Sequence, residues 1–181
     1  MEEIVLHDKT FVKCISENQI KEKVKEIAEV VNNISDISSE NTLFISVLNG
    51  SFMFTSDLCR EVLFSPEIQF IKVKSYDKLE STGNIKEIIG LTTPIEDKIV
   101  FIIEDIIDTG NTISELYTKI NAMNPKKVYV ITLFYKPDKY KGGMIENVLS
   151  GFTIPNDFIV GYGLDYDELG RNLKDIYILK E

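Results

Sequence analysis

Residues 101–112 read FIIEDIIDTGNT, and this stretch is the most informative about the fold. A run of apolar residues is interrupted by Glu104 and Asp105, and Asp108 stands directly before a Thr-Gly-Asn-Thr turn. An apolar strand that ends in a polar turn and leads into a helix is typical of parallel sheets, which bind ligands at the carboxyl ends of their strands. Three neighbouring carboxylates repel one another, so we expect this segment to hold a positively charged group.

The same apolar character recurs along the chain and predicts an α/β fold. Strands rich in Ile, Val, Phe and Tyr are predicted at residues 42–48, 68–74, 98–104, 127–135 and 157–162. They are mostly unbroken by polar residues, as a sheet covered on both faces requires. Helices are predicted at Ser51–Leu63 and Thr112–Met123, after an amphipathic helix that ends near Asn32. We therefore predict a doubly wound parallel sheet within one domain, residues 1–181.

Composition and charge narrow the possible functions. A chain of 181 residues with 44% hydrophobic residues is typical of a globular protein. The apolar runs are too short to span a membrane and the N-terminus does not resemble a signal peptide, so we expect a cytoplasmic protein in which Cys14 and Cys59 are reduced. A net charge of -9 argues against nucleic-acid binding. With His7 as the only histidine, acid–base chemistry is expected from carboxylates or lysines.

The turn at residues 108–112 has the chemistry of a phosphate-binding site. Gly110 allows successive N–H groups to converge, Thr109 and Thr112 add hydroxyl donors, and a helix N-terminus contributes partial positive charge. The segment is neither a Walker loop nor a Rossmann fingerprint. Glu104 and Asp105 are suited to sugar hydroxyls or to Mg2+, which prefers oxygen ligands. The alternative is a solvated acidic loop that caps a helix.

The stretch VFIIEDIIDTGNTI, residues 100–113, resembles the phosphoribosyl pyrophosphate signature of type I phosphoribosyltransferases. Within it, EDIIDTG is similar to the form found in hypoxanthine(-guanine) phosphoribosyltransferases. The resemblance implies a parallel sheet flanked by helices, with a small hood built from the N- and C-terminal segments. It also implies Mg2+ as cofactor, a homo-oligomer (dimer or tetramer), and phosphoribosyl transfer to hypoxanthine or guanine. Preference among hypoxanthine, guanine and xanthine stays open.

The resemblance assigns residues to the phosphoribosyl and pyrophosphate groups. The ribose, its 5'-phosphate and the metal would be held by Glu104, Asp105, Asp108, Thr109, Gly110, Asn111 and Thr112. We assign Asp108 as the general base for the purine N7 proton. The segment VLNGSFMFTSDL is similar to the pyrophosphate loop of the family, which implies pyrophosphate contacts from Asn49, Gly50 and Arg171 and a cis peptide between Leu48 and Asn49. Asn49 stands where the family usually has lysine.

Two further segments complete the resemblance. VKSYDKLESTGNIK is similar to the mobile lid of the family and contains the candidate lid residues Ser75, Tyr76, Ser81, Thr82 and Gly83. The segment from Lys136 to Arg171 resembles the purine-recognition region, which implies base stacking on Phe158, edge recognition by Lys136 and the Ile159 backbone, and Asp165 beside the base at a second magnesium site. Lys139, Lys141 and Gly170 depart from the family pattern.

Two rival functions are consistent with the same fold. One is a regulatory protein that senses phosphoribosyl pyrophosphate and binds RNA or DNA, against which the acidic charge argues. The other is a related transferase for adenine, orotate or uracil. Lys136 favours a 6-oxopurine, because a 6-oxo group needs a hydrogen-bond donor whereas a 6-amino group needs an acceptor.

Overall fold

The computed structural model describes residues 2–75 and 85–180. In chain order the strands are β1 Glu3–Leu6, β2 Lys9–Ile15, β3 Thr42–Leu48, β4 Glu67–Ser75, β5 Ile85–Ile89, β6 Ile99–Ile107, β7 Lys127–Tyr135, β8 Val148–Thr153, β9 Ile159–Val160 and β10 Ile176–Leu179. The α-helices are α1 Glu17–Asn32, α2 Phe52–Glu61 and α3 Asn111–Asn121. A short 3-10 helix, Pro137–Lys139, follows β7.

The larger sheet has the predicted doubly wound arrangement. Its strand order is β5-β4-β3-β6-β7-β8, and every pair is parallel except the antiparallel edge pair of β4 and β5. Helices α1 and α2 pack on one face against residues such as Phe44, Phe101 and Ile131. Helix α3 covers the other face, where Ile45, Ile102 and other alternate residues of the strands are buried. Both faces are therefore apolar, which explains the unbroken hydrophobic strands.

Helix α1 forms where its sequence pattern predicts. Ser16 caps it in a capping box, since its side chain accepts from the Gln19 N–H while the Gln19 side chain accepts from the Ser16 N–H. Buried residues at three- and four-residue steps face the sheet: Ile20, Val24, Ile27 and Val31. Among the helices of residues 2–75 and 85–180, none is long and apolar enough to cross a membrane.

The termini form a separate antiparallel sheet in the order β1-β2-β10-β9, which is the hood that the resemblance implied. Its small core contains Phe11, Val160 and Tyr177. The strand predicted at residues 157–162 is corrected here. Only Ile159–Val160 is a strand, and it pairs with β10 in the hood instead of extending the parallel sheet. The outer parallel position belongs to β8, whose half-exposed residues did not give a continuous apolar pattern.

Two element boundaries near residues 101–112, the end of β6 and the start of α3, also differ from prediction. Strand β6 continues through Glu104 and Asp105 to Ile107, because its pairing with β7 extends to Tyr135. The two carboxylates therefore belong to the end of the strand and are more rigidly held than loop residues. Helix α3 begins at Asn111, one residue earlier than predicted, with Gly110 at its N-cap.

Candidate active site

The site lies where the carboxyl ends of β3 and β6 meet at the centre of the sheet. These neighbouring strands are parallel, and they lead into the segment around Gly50 and into the turn at residues 108–110. Strand order reverses here, because β4 lies on one side of β3 and β6 on the other. Crevices at such positions are the usual ligand sites of open α/β sheets.

The turn after β6 forms one wall of a cavity of about 270 Å³. Gly110 has φ 79°, a left-handed conformation that glycine adopts without strain, and it leads directly into α3. The Tyr140 ring packs so closely on Gly110 that an added β-carbon would lie 2.1 Å from the ring. Thr109 and Thr112 line the cavity beside Glu104 and Asp108, and Asn111 is the exposed first residue of α3. Residues predicted to hold phosphate thus lie around a surface concavity at a helix N-terminus, and their role stays a prediction.

Glu104 and Asp105 are adjacent carboxylates near the end of β6, and Glu104 lines the cavity. Burial, followed by the charge and hydrogen bond of Asp105, raises the pKa of Glu104 well above its ordinary value. Burial also raises the pKa of Asp105, against the lowering effects of its hydrogen bonds and of nearby Arg171. Each half-buried carboxyl group ionises less readily than it would in water, so a cation bound here would favour the charged forms of the pair. The pair is chemically suited to a hard cation or to sugar hydroxyls.

The segment Leu48–Ser51 approaches this acidic pair closely. The Leu48–Asn49 peptide is cis, as the resemblance implied. Asn49 is exposed, whereas Gly50 is buried with the Asp105 carboxylate directly against its Cα. Beneath the segment, the buried hydroxyls of Ser46, Ser51 and Thr55 form a hydrogen-bonded chain with both O···O distances 2.8 Å. These hydroxyls therefore fix the position of the segment from the α2 side.

Asp108 lies between the turn and two lysines. Its Oδ2 atom is 3.3 Å from Lys139 Nζ and 3.8 Å from Lys136 Nζ. Its Oδ1 atom is buried and has no hydrogen-bond partner among the described residues. Buried carboxylate oxygens are normally satisfied, so this one indicates that a ligand donor belongs there.

The predicted purine-recognition residues approach from the hood and from β7. Lys136 is 5% exposed, and burial lowers its pKa although nearby Asp108 acts in the opposite direction. The charge of Asp157 also raises the pKa of Lys136. Asp157, the residue before Phe158, therefore lies near that lysine. Phe158 is 43% exposed, with the rings of Phe11 and Tyr166 about 6 Å away. Ile159 is buried in β9, and its backbone is paired with Ile178 of β10.

Arg171 and Asp165 contact one another directly. Arg171 Nη2 is 2.8 Å from Asp165 Oδ1 and 3.2 Å from Glu168 Oε2, while its Nη1 donates to the Gly163 carbonyl. The charge of Arg171 lowers the pKa of Asp105, so the two side chains lie near one another, and the pyrophosphate role of Arg171 stays a prediction. Asp165 is thus engaged by an arginine in this structure.

The lid prediction lies largely outside the described part of the chain. Ser75 ends β4, and Tyr76, Ser81, Thr82 and Gly83 lie outside the described residues. The roles assigned to the lid stay predictions.

Several residues of the site were not predicted to have a role. Lys139 was noted only as a departure from the family pattern, yet it forms the shorter of the two lysine contacts with Asp108. Val47, Val73 and Ile113 line the cavity, and Gly163 packs on Gly50. The GYG sequence at residues 161–163 was the available signal for this last contact, because paired glycines often mark a close backbone approach.

Comparison with known proteins agrees with this geometry. A family model described as the phosphoribosyl transferase domain matches residues 15–167. The chain is 36% identical over 160 residues to the hypoxanthine phosphoribosyltransferase of Escherichia coli, covering 88% of this chain and 89% of that protein. It is 36% identical over 167 residues to the hypoxanthine-guanine phosphoribosyltransferase of Mycobacterium tuberculosis, covering 90% and 82%. A crystal structure of a Bacillus anthracis hypoxanthine-guanine phosphoribosyltransferase superposes with a TM-score of 0.82 at 38% identity, covering 93% of this chain and 98% of that one.

Proposed function

The chain belongs to the phosphoribosyltransferase family, and we propose that it is a purine salvage enzyme that uses hypoxanthine or guanine. It transfers the 5-phosphoribosyl group from phosphoribosyl pyrophosphate to N9 of the base. The N9–C1' bond forms, the bond from C1' to pyrophosphate breaks, and IMP or GMP is released. The observation that carries the proposal is Asp108, which lies in the turn of the phosphate cradle, contacts the buried Lys136 through Oδ2, and has an Oδ1 atom with no partner among the described residues.

The phosphoribosyl group is held by the end of β6 and the turn that follows. Backbone N–H groups at residues 109–112 and the α3 N-terminus bind the 5'-phosphate, with added hydroxyls from Thr109 and Thr112. Glu104 and Asp105 orient the ribose hydroxyls. Their negative charge also favours the positive charge that develops at C1' as pyrophosphate leaves.

The pyrophosphate group is held between the segment at residues 48–51 and Arg171. Gly50 allows the anion to approach the backbone, and the Arg171 guanidinium neutralises its charge. Asn49 contributes an uncharged side chain at the exposed edge. Most binding therefore comes from backbone donors and one arginine.

The donor set at the site suits Mg2+ brought in by the substrate. Among the described residues no three His, Cys, Asp or Glu side chains cluster as a metal site. Mg2+ is commonly held by one or two carboxylates together with substrate phosphates, and Glu104 and Asp105 meet that need. Asp165 would hold a second ion after giving up its contact with Arg171. When bound, Mg2+ would neutralise pyrophosphate charge.

The base is recognised on the other side of Asp108. Lys136 donates to the 6-oxo group, Phe158 stacks on the ring, and the backbone at Ile159 reads the purine edge. Asp108 accepts the proton from N7 as the N9–C1' bond forms. Lys139 and Lys136 hold Oδ2 of this carboxylate in place and leave Oδ1 for the purine.

Product analysis tests the proposal directly. The purified protein is mixed with phosphoribosyl pyrophosphate, Mg2+ and one base at a time from hypoxanthine, guanine, xanthine, adenine, orotate and uracil. We expect nucleotide from hypoxanthine or guanine and none from adenine, orotate or uracil. Binding of phosphoribosyl pyrophosphate without turnover of any base would contradict an enzymatic role. The single-domain assignment, the homo-oligomeric state and the cytoplasmic location stay predictions.

A further inference from the structure

The turn of Gly161, Tyr162 and Gly163 has an unusual backbone. The three φ angles are 107°, 48° and 102°, so three consecutive residues are left-handed. Glycine adopts such angles freely, but a bulky aromatic residue does so rarely and at a cost in free energy. Residues in this conformation persist where the surrounding structure holds them, and they are frequent at functional sites.

Tyr162 is held in this conformation by contacts on both sides of the molecule. Its N–H donates to the Leu173 carbonyl in the hood at 2.9 Å. Its side chain is buried and reaches α2, where Oη donates to Asp57 Oδ2 at 2.6 Å. The other oxygen of Asp57 lies 3.6 Å from Arg60 Nη1. Burial, followed by the hydrogen bond to Asp57, raises the pKa of Tyr162, so the hydroxyl remains a donor.

Gly163, the next residue, connects the two elements that hold pyrophosphate. An added β-carbon on Gly163 would lie 2.0 Å from the Gly50 carbonyl oxygen, so this residue packs directly on the pyrophosphate segment. Its N–H donates to the Arg171 carbonyl, and its own carbonyl accepts from Arg171 Nη1, both at 2.9 Å. A rotation of this turn would therefore move the Arg171 guanidinium relative to Gly50.

We infer that the hydrogen bond between Tyr162 and Asp57 positions Arg171 against the pyrophosphate segment. Helix α2 starts at Phe52, immediately after that segment, so Asp57 moves with the segment while Tyr162 moves with the Arg171 turn. Neither Tyr162 nor Asp57 is assigned to a substrate contact. Both act by fixing the position of Arg171 relative to Gly50. The inference rests on the proposed function in one respect, since it takes pyrophosphate as the ligand between Gly50 and Arg171.

Removal of one hydroxyl tests this role. In Tyr162→Phe the ring stays and the donor is lost, so we expect the KM for phosphoribosyl pyrophosphate and the Kd of magnesium pyrophosphate each to rise about tenfold. The KM for hypoxanthine and the single-turnover rate at saturation should change less than about twofold. Asp57→Ala should repeat this pattern, and Asp57→Asn, which keeps an acceptor oxygen, should restore most of the affinity. The double variant should be no worse than either single variant.

The matched control is Tyr177→Phe, which removes another buried tyrosine hydroxyl that donates to a carboxylate, at 3.3 Å from Glu2 Oε1. That bond lies within the hood and should leave both affinities unchanged. Unchanged pyrophosphate affinity in Tyr162→Phe, or an equal loss of affinity for pyrophosphate and hypoxanthine, would overturn the inference. If the tyrosine variant does not fold, the two Asp57 variants decide by the same criteria. If the parent turns over no base, the proposed function fails, and calorimetry with magnesium pyrophosphate alone still decides the positioning role.

Discussion

The Asp105 carboxylate occupies the space in which any residue other than glycine at position 50 would carry its β-carbon. That β-carbon would lie 1.4 Å from Asp105 Oδ2 and 2.5 Å from its carboxyl carbon. The two residues come from the ends of neighbouring parallel strands, β3 and β6. The segment assigned to pyrophosphate and the carboxylate assigned to ribose are therefore in direct contact, so a change at one displaces the other.

We expect Gly50→Ala to reduce turnover about 100-fold or more, because the carboxylate or the segment must move by an ångström or more to admit the methyl group. Gly50→Val should reduce turnover further, because its side chain is larger. Steady-state kinetics together with calorimetry of phosphoribosyl pyrophosphate binding measures the effect. Gly143→Ala is the control, since its β-carbon would meet only Ser114 at 4.0 Å. Equal tolerance of both alanines would remove Gly50 from the site.

Asn49→Lys should alter pyrophosphate affinity only about two- to fivefold. The position is exposed, where one added charge is worth little in water, and the backbone donors of the segment are unchanged. Calorimetry at low and high salt measures the effect, which should shrink as salt screens the new charge. An increase of two orders of magnitude would show that the segment depends on a side-chain cation.

Asp108→Asn should lower the single-turnover rate about 100-fold or more, because the amide keeps the shape of the side chain but cannot accept the N7 proton. Affinity for phosphoribosyl pyrophosphate should fall much less, since the turn is proposed to bind it through backbone donors. Rapid-quench kinetics separates chemistry from slow nucleotide release. Asp138→Asn, an exposed carboxylate in the segment after β7, is the control. A parental single-turnover rate in Asp108→Asn would make Asp108 a structural residue of the turn.

Lys136→Met should raise the KM for hypoxanthine about 10- to 100-fold, the usual worth of a hydrogen bond from a charged group. Methionine fills a similar volume at this buried position but cannot donate to the 6-oxo group. The KM for phosphoribosyl pyrophosphate should change little. Lys141→Met, at an exposed position in the same segment, is the control. If phosphoribosyl pyrophosphate binding were lost instead, Lys136 would belong to the other substrate.

Glu104→Gln should stabilise the ligand-free protein at high pH. A carboxyl group whose pKa is raised in the folded state costs stability once it ionises there, so stability falls as pH rises above the ordinary value of 4.5. Glutamine removes that cost and can still donate to Asp105. The Tm should exceed that of the parent by about 2–4 °C near pH 8, and the difference should shrink as the pH falls toward the ordinary value of 4.5.

The control for this comparison is Glu146→Gln, the same substitution at an exposed position. A Tm difference that stays constant with pH would contradict the role of ionisation. In the presence of magnesium and phosphoribosyl pyrophosphate, Glu104→Gln should gain less stability than the parent does, because it binds the complex more weakly.

Much of the central architecture could be predicted from the sequence because its signals are local. Unbroken apolar runs in the sequence predict the parallel strands. Two of these strands, Thr42–Leu48 and Lys127–Tyr135, have the predicted bounds. Helix α1 carries both its apolar period and its capping box within a few residues. The turn that we propose to bind phosphate is likewise contained in five consecutive residues, 108–112. Each of these patterns depends on neighbours along the chain.

Only the tertiary structure decided which distant residues meet. The hood pairs β2 near the N-terminus with β10 near the C-terminus, and its short, partly exposed strands carry little periodicity of their own. The contact of Gly163 with Gly50 and the bond of Tyr162 to Asp57 each join residues more than 100 positions apart. The contact of Lys139 with Asp108 also joins residues that are distant in the sequence. Local propensity and periodicity extend over a few residues, whereas these contacts are created only when the hood packs on the sheet and the segment after β7 folds back on the turn.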